Sequence, residues 1–322
     1  RLSAPQLSGY FEVKDGQASL RTPQVAAQDL NLRIDVTPER FTIQRFTGSL
    51  NGGTLKASGS AGYRGTQLKD VDISIAAKES YLDFPEGLRS QFDADLKFRS
   101  QDDFFVLGGR IDVLQGIYRR NLEIGGEVLN YLKAGGGTVL LEERNPFLSK
   151  LRFNVAVSTR NPIVVDNNLA KLALNADARL VGGFYRPGLT GRLVLEENGK
   201  LYFSERTFFV DRGVITFVSE TKIEPDLDIL ARTKVASHDI SLQLSGTPDD
   251  FSADLTSDPS LSQPNIVSML LTGRKLEDLE GSGLNVAREQ AASFVSGQLG
   301  GLVSSGAKEA LGLSQVRIDP SF

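Results

Sequence analysis

Few residues in this chain are equipped for covalent or metal chemistry. Its one histidine, His238, stands between Ser237 and Asp239 with no second histidine and no cysteine to join it. A zinc site, which needs three or four such ligands, is therefore not expected, and cysteine nucleophiles are excluded. A histidine among polar neighbours at a turn or strand edge reads as an exposed residue with no catalytic task. Acidic pairs stand at Asp102 with Asp103, Asp249 with Asp250, and Asp226 with Asp228. The last pair, one residue apart, would share a strand face and offer oxygen ligands to a hard cation. With Leu227 and Ile229 on the opposite face, a wet strand surface accounts for it more simply. The glycine-rich stretches at 135–137 and 281–287 lack the GxxxxGK[ST] pattern that cradles phosphate, and no G-x-S-x-G elbow occurs. The expectation is a protein that is not an enzyme and needs neither cofactor nor metal.

Composition narrows the partners. The 322 residues are 40% hydrophobic and 24% charged, with a formal net charge of -4. No basic excess is available to neutralise phosphates, so nucleic acid is not expected as a partner. The absence of cysteine suits an envelope protein that has no thiols to manage. The chain starts at Arg1 and its single methionine is Met269, so it reads as a fragment of something longer, with any anchor upstream. No apolar run approaches the roughly 20 residues that cross a bilayer as a helix, and these residues are expected to be soluble.

What surrounds these groups is a long series of short alternating runs, continuing to about residue 255. In LRFNVAV, Leu151, Phe153, Val155 and Val157 share one face and Arg152 and Asn154 the other. The run GRLVLEENGKLYFSERTFFVDRGVITF (191–217) sets Leu193, Leu195, Leu201, Phe203, Phe209, Ile215 and Phe217 at odd positions. Leu227 and Ile229 continue the series, and Ile240, Leu242 and Leu244 oppose Ser241 and Gln243. Period two over such lengths is the strand signature, with one greasy and one wet face. Glycine recurs in GSLNGGTLKASGS, GGRIDVLQGIY and GRLVLEENGKLYF, a loose repeat that suits hairpin turns and bulges in a long antiparallel meander. Gly191, Gly199 and Gly213 are read as turn or bend points. The even positions Val194, Tyr202, Phe208, Val210 and Val214 are the test of this pattern, because a covered even face would mean a second layer.

The composition changes after residue 256. Pro264 suits a first helical turn and Gly273 a stop, which predicts a short helix near 264–272. Apolar residues from Val286 to Leu311 recur at spacings of three and four, predicting an amphipathic helix weakened by glycines. The expected divisions are thus a repetitive β region over 1–255, a short helix and linker over 256–283, a Gly/Ala-rich helix over 284–313, and over 314–322 the start of a further strand, where the chain is cut.

The segment SDPSLSQPNIVSMLLTGR (257–274), the Gly/Ala/Ser-rich helix after it and LGLSQVRIDP (311–320) resemble the C-terminal domain of the TamB family, the inner-membrane-anchored subunit of the translocation and assembly module. The glycine-punctuated strands are similar to those of that family and of the wider AsmA-like, bridge-like lipid transfer group. The resemblance implies an all-β fold with a short C-terminal helical segment: an elongated curved sheet, or β-taco, whose U-shaped groove has an apolar interior. It implies a periplasmic location in a diderm bacterium, attachment to the inner membrane through an anchor absent from this fragment, and a TamA-like outer-membrane partner of the Omp85 family. It also implies phospholipid transport between the membranes, supporting outer-membrane biogenesis. On that reading the sixteen apolar residues from Leu151 to Leu244 named above line a groove for acyl chains, each buried methylene contributing roughly 0.8 kcal/mol. A chaperone or scaffold for outer-membrane protein (autotransporter) assembly and secretion, using strand addition at a sheet edge, is the alternative. A compact β-helix or sandwich with its apolar faces sealed is a third.

Overall fold

The computed structural model describes residues 8–20, 24–64, 67–121, 145–203, 206–247, 250–279 and 285. The predicted helix over 284–313, apart from Asn285, and the strand expected from 314 lie outside the described residues, as do Asp249 and the glycines at 135–137. The alternating runs can each bury one face only as strands, and sixteen of them join in one sheet. These are β1 (Gly9–Leu20), β2 (Val25–Val36), β3 (Arg40–Leu50), β4 (Gly53–Arg64), β5 (Gln67–Asp83), β6 (Leu88–Gln101), β7 (Phe104–Tyr118), β8 (Leu151–Thr159), β9 (Ile163–Asp166), β10 (Ala170–Gly183), β11 (Arg186–Leu195), β12 (Lys200–Phe203), β13 (Arg206–Ser219), β14 (Pro225–Val235), β15 (His238–Thr247) and β16 (Asp250–Asp258). Helices α1 (Pro146–Ser149) and α2 (Gln263–Thr272) are short. The fold is all-β with a short helix towards the C-terminal end, as expected.

Strand order follows chain order, with β8 and β9 sharing the place between β7 and β10, and β11 and β12 that between β10 and β13. The antiparallel meander is broken at one place: β8 and β9 run parallel to β7. A hairpin cannot join parallel neighbours, and Leu151 accordingly pairs with Phe105 at the start of β7 and not with Tyr118 at its end.

The sheet bends as it lengthens. Strands β3 and β5 approach one another although β4 lies between them. Glycine in mid-strand allows part of this. Gly191 pairs with Ala178 at φ 114°, and a Cβ there would lie 2.4 Å from the Asp177 carbonyl oxygen and 2.6 Å from the Ala178 Cα. The same conformation recurs at Gly59 and Gly109, against the carbonyls of Asp72 and Asp95. The repeated glycine of the sequence is thus a bend inside a strand as well as a turn between strands.

A second irregularity reverses a face. Between Val210 and Arg212 the register of β13 on β14 shifts by one residue, with Asp211 the extra residue. Downstream, odd residues Ile215 and Phe217 oppose Leu227 and Pro225; upstream, it is even residues Phe208 and Val210 that fall on that face. Phe208 is fully buried, whereas Phe209 pairs with Arg232 on the other face and is 46% exposed. The strict odd-position alternation across 191–217 therefore stops at Asp211, and Phe209 does not belong to the apolar wall. A bulge of this kind changes which side every earlier residue faces.

On the polar face Asp93 lies directly opposite Asp112. Two like charges side by side would repel, and a surrounding set of donors compensates. Asp93 Oδ1 accepts the Glu79 N–H at 2.9 Å, at the point where β5 bulges, while Lys78 and Arg160 stand 3.6 and 3.7 Å away. Arg160 also reaches Asp112 at 3.6 Å and Ser158 Oγ donates to it at 3.0 Å, carrying the network across the parallel seam onto β8. The Glu79 N–H first, then the Lys78 and Arg160 charges, outweigh burial and hold the Asp93 carboxyl below its ordinary value.

Two outcomes are expected. Phe208→Ala should cost about 3–5 kcal/mol in urea unfolding and Phe209→Ala no more than about 0.5 kcal/mol; equal losses would refute the parity change at Asp211. Because the folded pKa of Asp93 lies below its unfolded value of about 3.9, its contribution is present above that pH and is lost as pH falls through the folded pKa. Asp93→Asn should flatten the acid limb of stability against pH, and an acid limb identical to that of the parent would rule this clamp out.

Candidate functional site: an apolar trough

Directly paired residues in a sheet point to the same side, so the register traces each face across the molecule. One row runs Leu55, Ala77, Ala94, Ile111, Val157, Ala178, Gly191, Phe217, from β4 to β13, each opposite the next. Another runs Leu174, Leu195, Gly213, Ile229, Leu244, Ala253, from β10 to β16. Both rows lie on one side, and each is apolar along its whole length. Val155, Leu195, Val210 and Ile229 are 2–7% exposed, although no second sheet packs on them among the described residues. In a single layer such occlusion comes from curvature, so the apolar face is the inner face of a trough. On the outer face Val218 is 76% exposed.

The residues expected on the apolar face are distributed as follows. Leu151, Phe153, Val155 and Val157 come from β8, Leu193 and Leu195 from β11, Leu201 and Phe203 from β12, and Ile215 and Phe217 from β13. Leu227 and Ile229 come from β14, and Ile240, Leu242 and Leu244 from β15; the register brings all of these to the inner face, and only Phe209 of the set to the outer. Of the even positions in question, Phe208 and Val210 are buried because the bulge turns them inward. Val194 and Tyr202 are 40% and 37% exposed on the outer face, and Val214 is half-buried there. The outer face at these strands carries no second layer among the described residues.

Sequence reading missed the wall of the first half, which β4 to β7 supply through Leu55, Ala77, Ala94 and Ile111. There the alternation is built from alanine and glycine as much as from Leu or Ile, and the hydropathy contrast is weaker. At the rim, α1 adds a contact of its own: Asn145 Oδ1 caps it by accepting the Phe147 N–H at 2.9 Å, and the Phe147 ring lies tilted against Phe105 and Phe98, with centroids 5.1 and 6.4 Å away.

Helix α2 lies on the inner face. Ile266, Val267, Met269 and Leu270 are 1–3% exposed and pack with Phe208, Ala231, Val235, Ile240, Leu242 and Leu255. It begins with Pro264 in its first turn and ends at Gly273, which takes the left-handed conformation (φ 77°) and donates to the Met269 carbonyl. Arg206 Nε donates to the Leu270 carbonyl at 2.9 Å, and Gln263 Nε2 to the Leu255 carbonyl at 2.8 Å.

The candidates for chemistry behave otherwise. His238, expected at the surface, is 8% exposed: the hairpin from β14 to β15 turns it onto the inner face beside Val235, where its Nδ1 lies 3.3 Å from Ser237 Oγ. Asp226 and Asp228 sit on the outer face, with Asp228 paired to Arg212 at 3.5 Å and accepting from Gln243 at 2.8 Å. Among the described residues no acidic or histidine group gathers in a metal-binding cluster.

Comparison with known proteins agrees with this architecture. The family model of the TamB C-terminal domain matches residues 44–321. An uncharacterized protein of Aquifex aeolicus (strain VF5) is 24% identical over 280 residues, which cover 86% of this chain and 23% of the relative. The chain thus spans about a quarter of the length of that relative. The family match takes in the glycine-bent strands from β3 onwards, the trough they form and the helix laid inside it, and on that basis the chain belongs to the TamB family.

Proposed function

We propose that this chain is part of a non-enzymatic bridge that carries phospholipid acyl chains across the periplasm of a diderm bacterium, between an inner-membrane anchor and an Omp85-type partner in the outer membrane. One observation carries the reading: a single apolar face continues across the sheet on its concave side, without a covering layer over most of its length among the described residues. Such a face favours apolar chains by burying their surface, at roughly 0.8 kcal/mol per methylene, and asks for no reacting group. Its lining of Leu, Ile, Val, Ala and Phe varies little from strand to strand, so no position holds an acyl chain much more tightly than the next. Headgroups stay in water along the rim, where strand ends and turns supply Arg, Lys, Asp and Glu.

The second reading, a scaffold for outer-membrane protein assembly, draws on the sheet edge. Strand β16 pairs with β15 on one side and closes the strand order, leaving a ladder open to an incoming strand among the described residues.

Mass spectrometry of copurifying lipid separates the two. The chain should carry phospholipid, and Leu195→Asp or Phe217→Arg, which place a charge on the inner wall, should lower that load roughly tenfold while circular dichroism still reports the sheet. A parent chain that carries no lipid, or a load indifferent to inward charge, would defeat the bridge; crosslinks from β16 to unfolded outer-membrane proteins would then favour the scaffold.

A further inference from the structure

The wall and the helix inside it compete for the same surface. The half of β13–β16 nearest the turn between Val235 and His238 is the continuation of the trough, and there α2 takes the place that an open groove would leave for cargo. Its seat is largely apolar. Among the described residues two hydrogen bonds tie α2 to the strands, from Arg206 and from Gln263. The Gln263 Oε1 is itself buried with no hydrogen-bond partner. The rest is contact between aliphatic side chains and the wall, and a surface that accepts Ile, Val, Met and Leu in this way accepts alkyl chain by the same physics. Docking is also local: helix and seat are joined by the short connection from Asp258 to Gln263, so the helix is always present at high effective concentration.

We propose that α2 is an intramolecular competitor of the acyl chain: seated, it closes the β13–β16 part of the lipid track, and cargo held on β10–β13 leaves over the rim; lifted, it opens the Ile240, Leu242 and Leu255 wall to lipid. This rests on the bridge reading given above.

Because the chain has no cysteine, single cysteines report access directly. Ile215→Cys marks the open wall and Leu242→Cys the wall beneath α2. Each is reacted with a maleimide carried on a long alkyl chain and, separately, with a small water-soluble maleimide, alone and combined with Leu270→Asp. The expected result is alkyl labelling of Ile215→Cys in both backgrounds, protection of Leu242→Cys in the parent, and labelling of Leu242→Cys at least about tenfold faster with Leu270→Asp, whose carboxylate disfavours the apolar seat. Should Leu270→Asp lose the sheet by circular dichroism, Arg206→Ala, which removes the bond to the Leu270 carbonyl, serves as the milder variant with a smaller rise in the same direction. Leu242→Cys labelled as fast as Ile215→Cys in the parent would overturn the closure and leave the bridge standing. So would a lifted helix, seen with the small reagent, whose seat the alkyl reagent still ignores, or a folded variant of either kind that leaves Leu242→Cys protected. No alkyl labelling of Ile215→Cys would overturn the bridge reading and this inference with it.

Discussion

A single sheet has two faces, and water is kept from one of them only by another layer or by bending. This constraint governs the molecule. With no second sheet over the wall among the described residues, the burial of Val155, Leu195 and Ile229 comes from curvature, and the curvature needs backbone that ordinary residues adopt with difficulty. The mid-strand glycines at 59, 109 and 191 meet that need, each lying so close to a neighbouring carbonyl that no side chain fits. The polar face is the outer one, and there paired charges such as Arg212 with Asp228 and Arg99 with Asp72 line a surface that water can reach.

The same bending makes folding and function draw on one surface. In most domains the apolar surface that stabilises the fold is consumed by it. In this trough much of it is crowded but not sealed, and its occlusion is graded from the half-exposed Phe11 of β1 to the fully buried Phe208 beneath α2. Stability is correspondingly uneven. The best-packed cluster is where α2 meets β13–β16, and the Asp93 network secures the seam at β7 and β8 from the polar side.

Much of this was legible in the residues. Period two from Leu151 to Leu244 identified the wall because Leu, Ile, Val and Phe contrast sharply with the intervening Arg, Asn, Asp and Gln. Pro264 and Gly273 bounded α2 because each does at a helix end what few other residues do. What escaped was whatever depends on more than one strand. Thr207 and Asp211 break the odd-position series while Phe208 and Val210 stand at even positions, a faint sign that Phe208 and not Phe209 faces inward; a bulge is defined by the partner strand, which sequence alone does not display. His238 looked exposed from its neighbours in the chain, but its neighbours in space are Val235 and the wall. The parallel seam left no mark either, since β7 and β8 read as strands whichever way they run.

That seam also orders how the chain assembles. On either side of it each pairing joins strands that follow one another or stand one strand apart in the chain, so contacts are local and each half can grow largely by adding hairpins. Across it, Phe105 pairs with Leu151, more than forty residues further along the chain, and closing that interval costs more entropy than closing a hairpin. The protein is therefore built as two zippers meeting at one non-local join. The trough is continuous in space but divided in sequence: the pairings of β1 to β7 use no residue beyond the seam, so a nascent chain holds all of that half before the residues that extend it have been made.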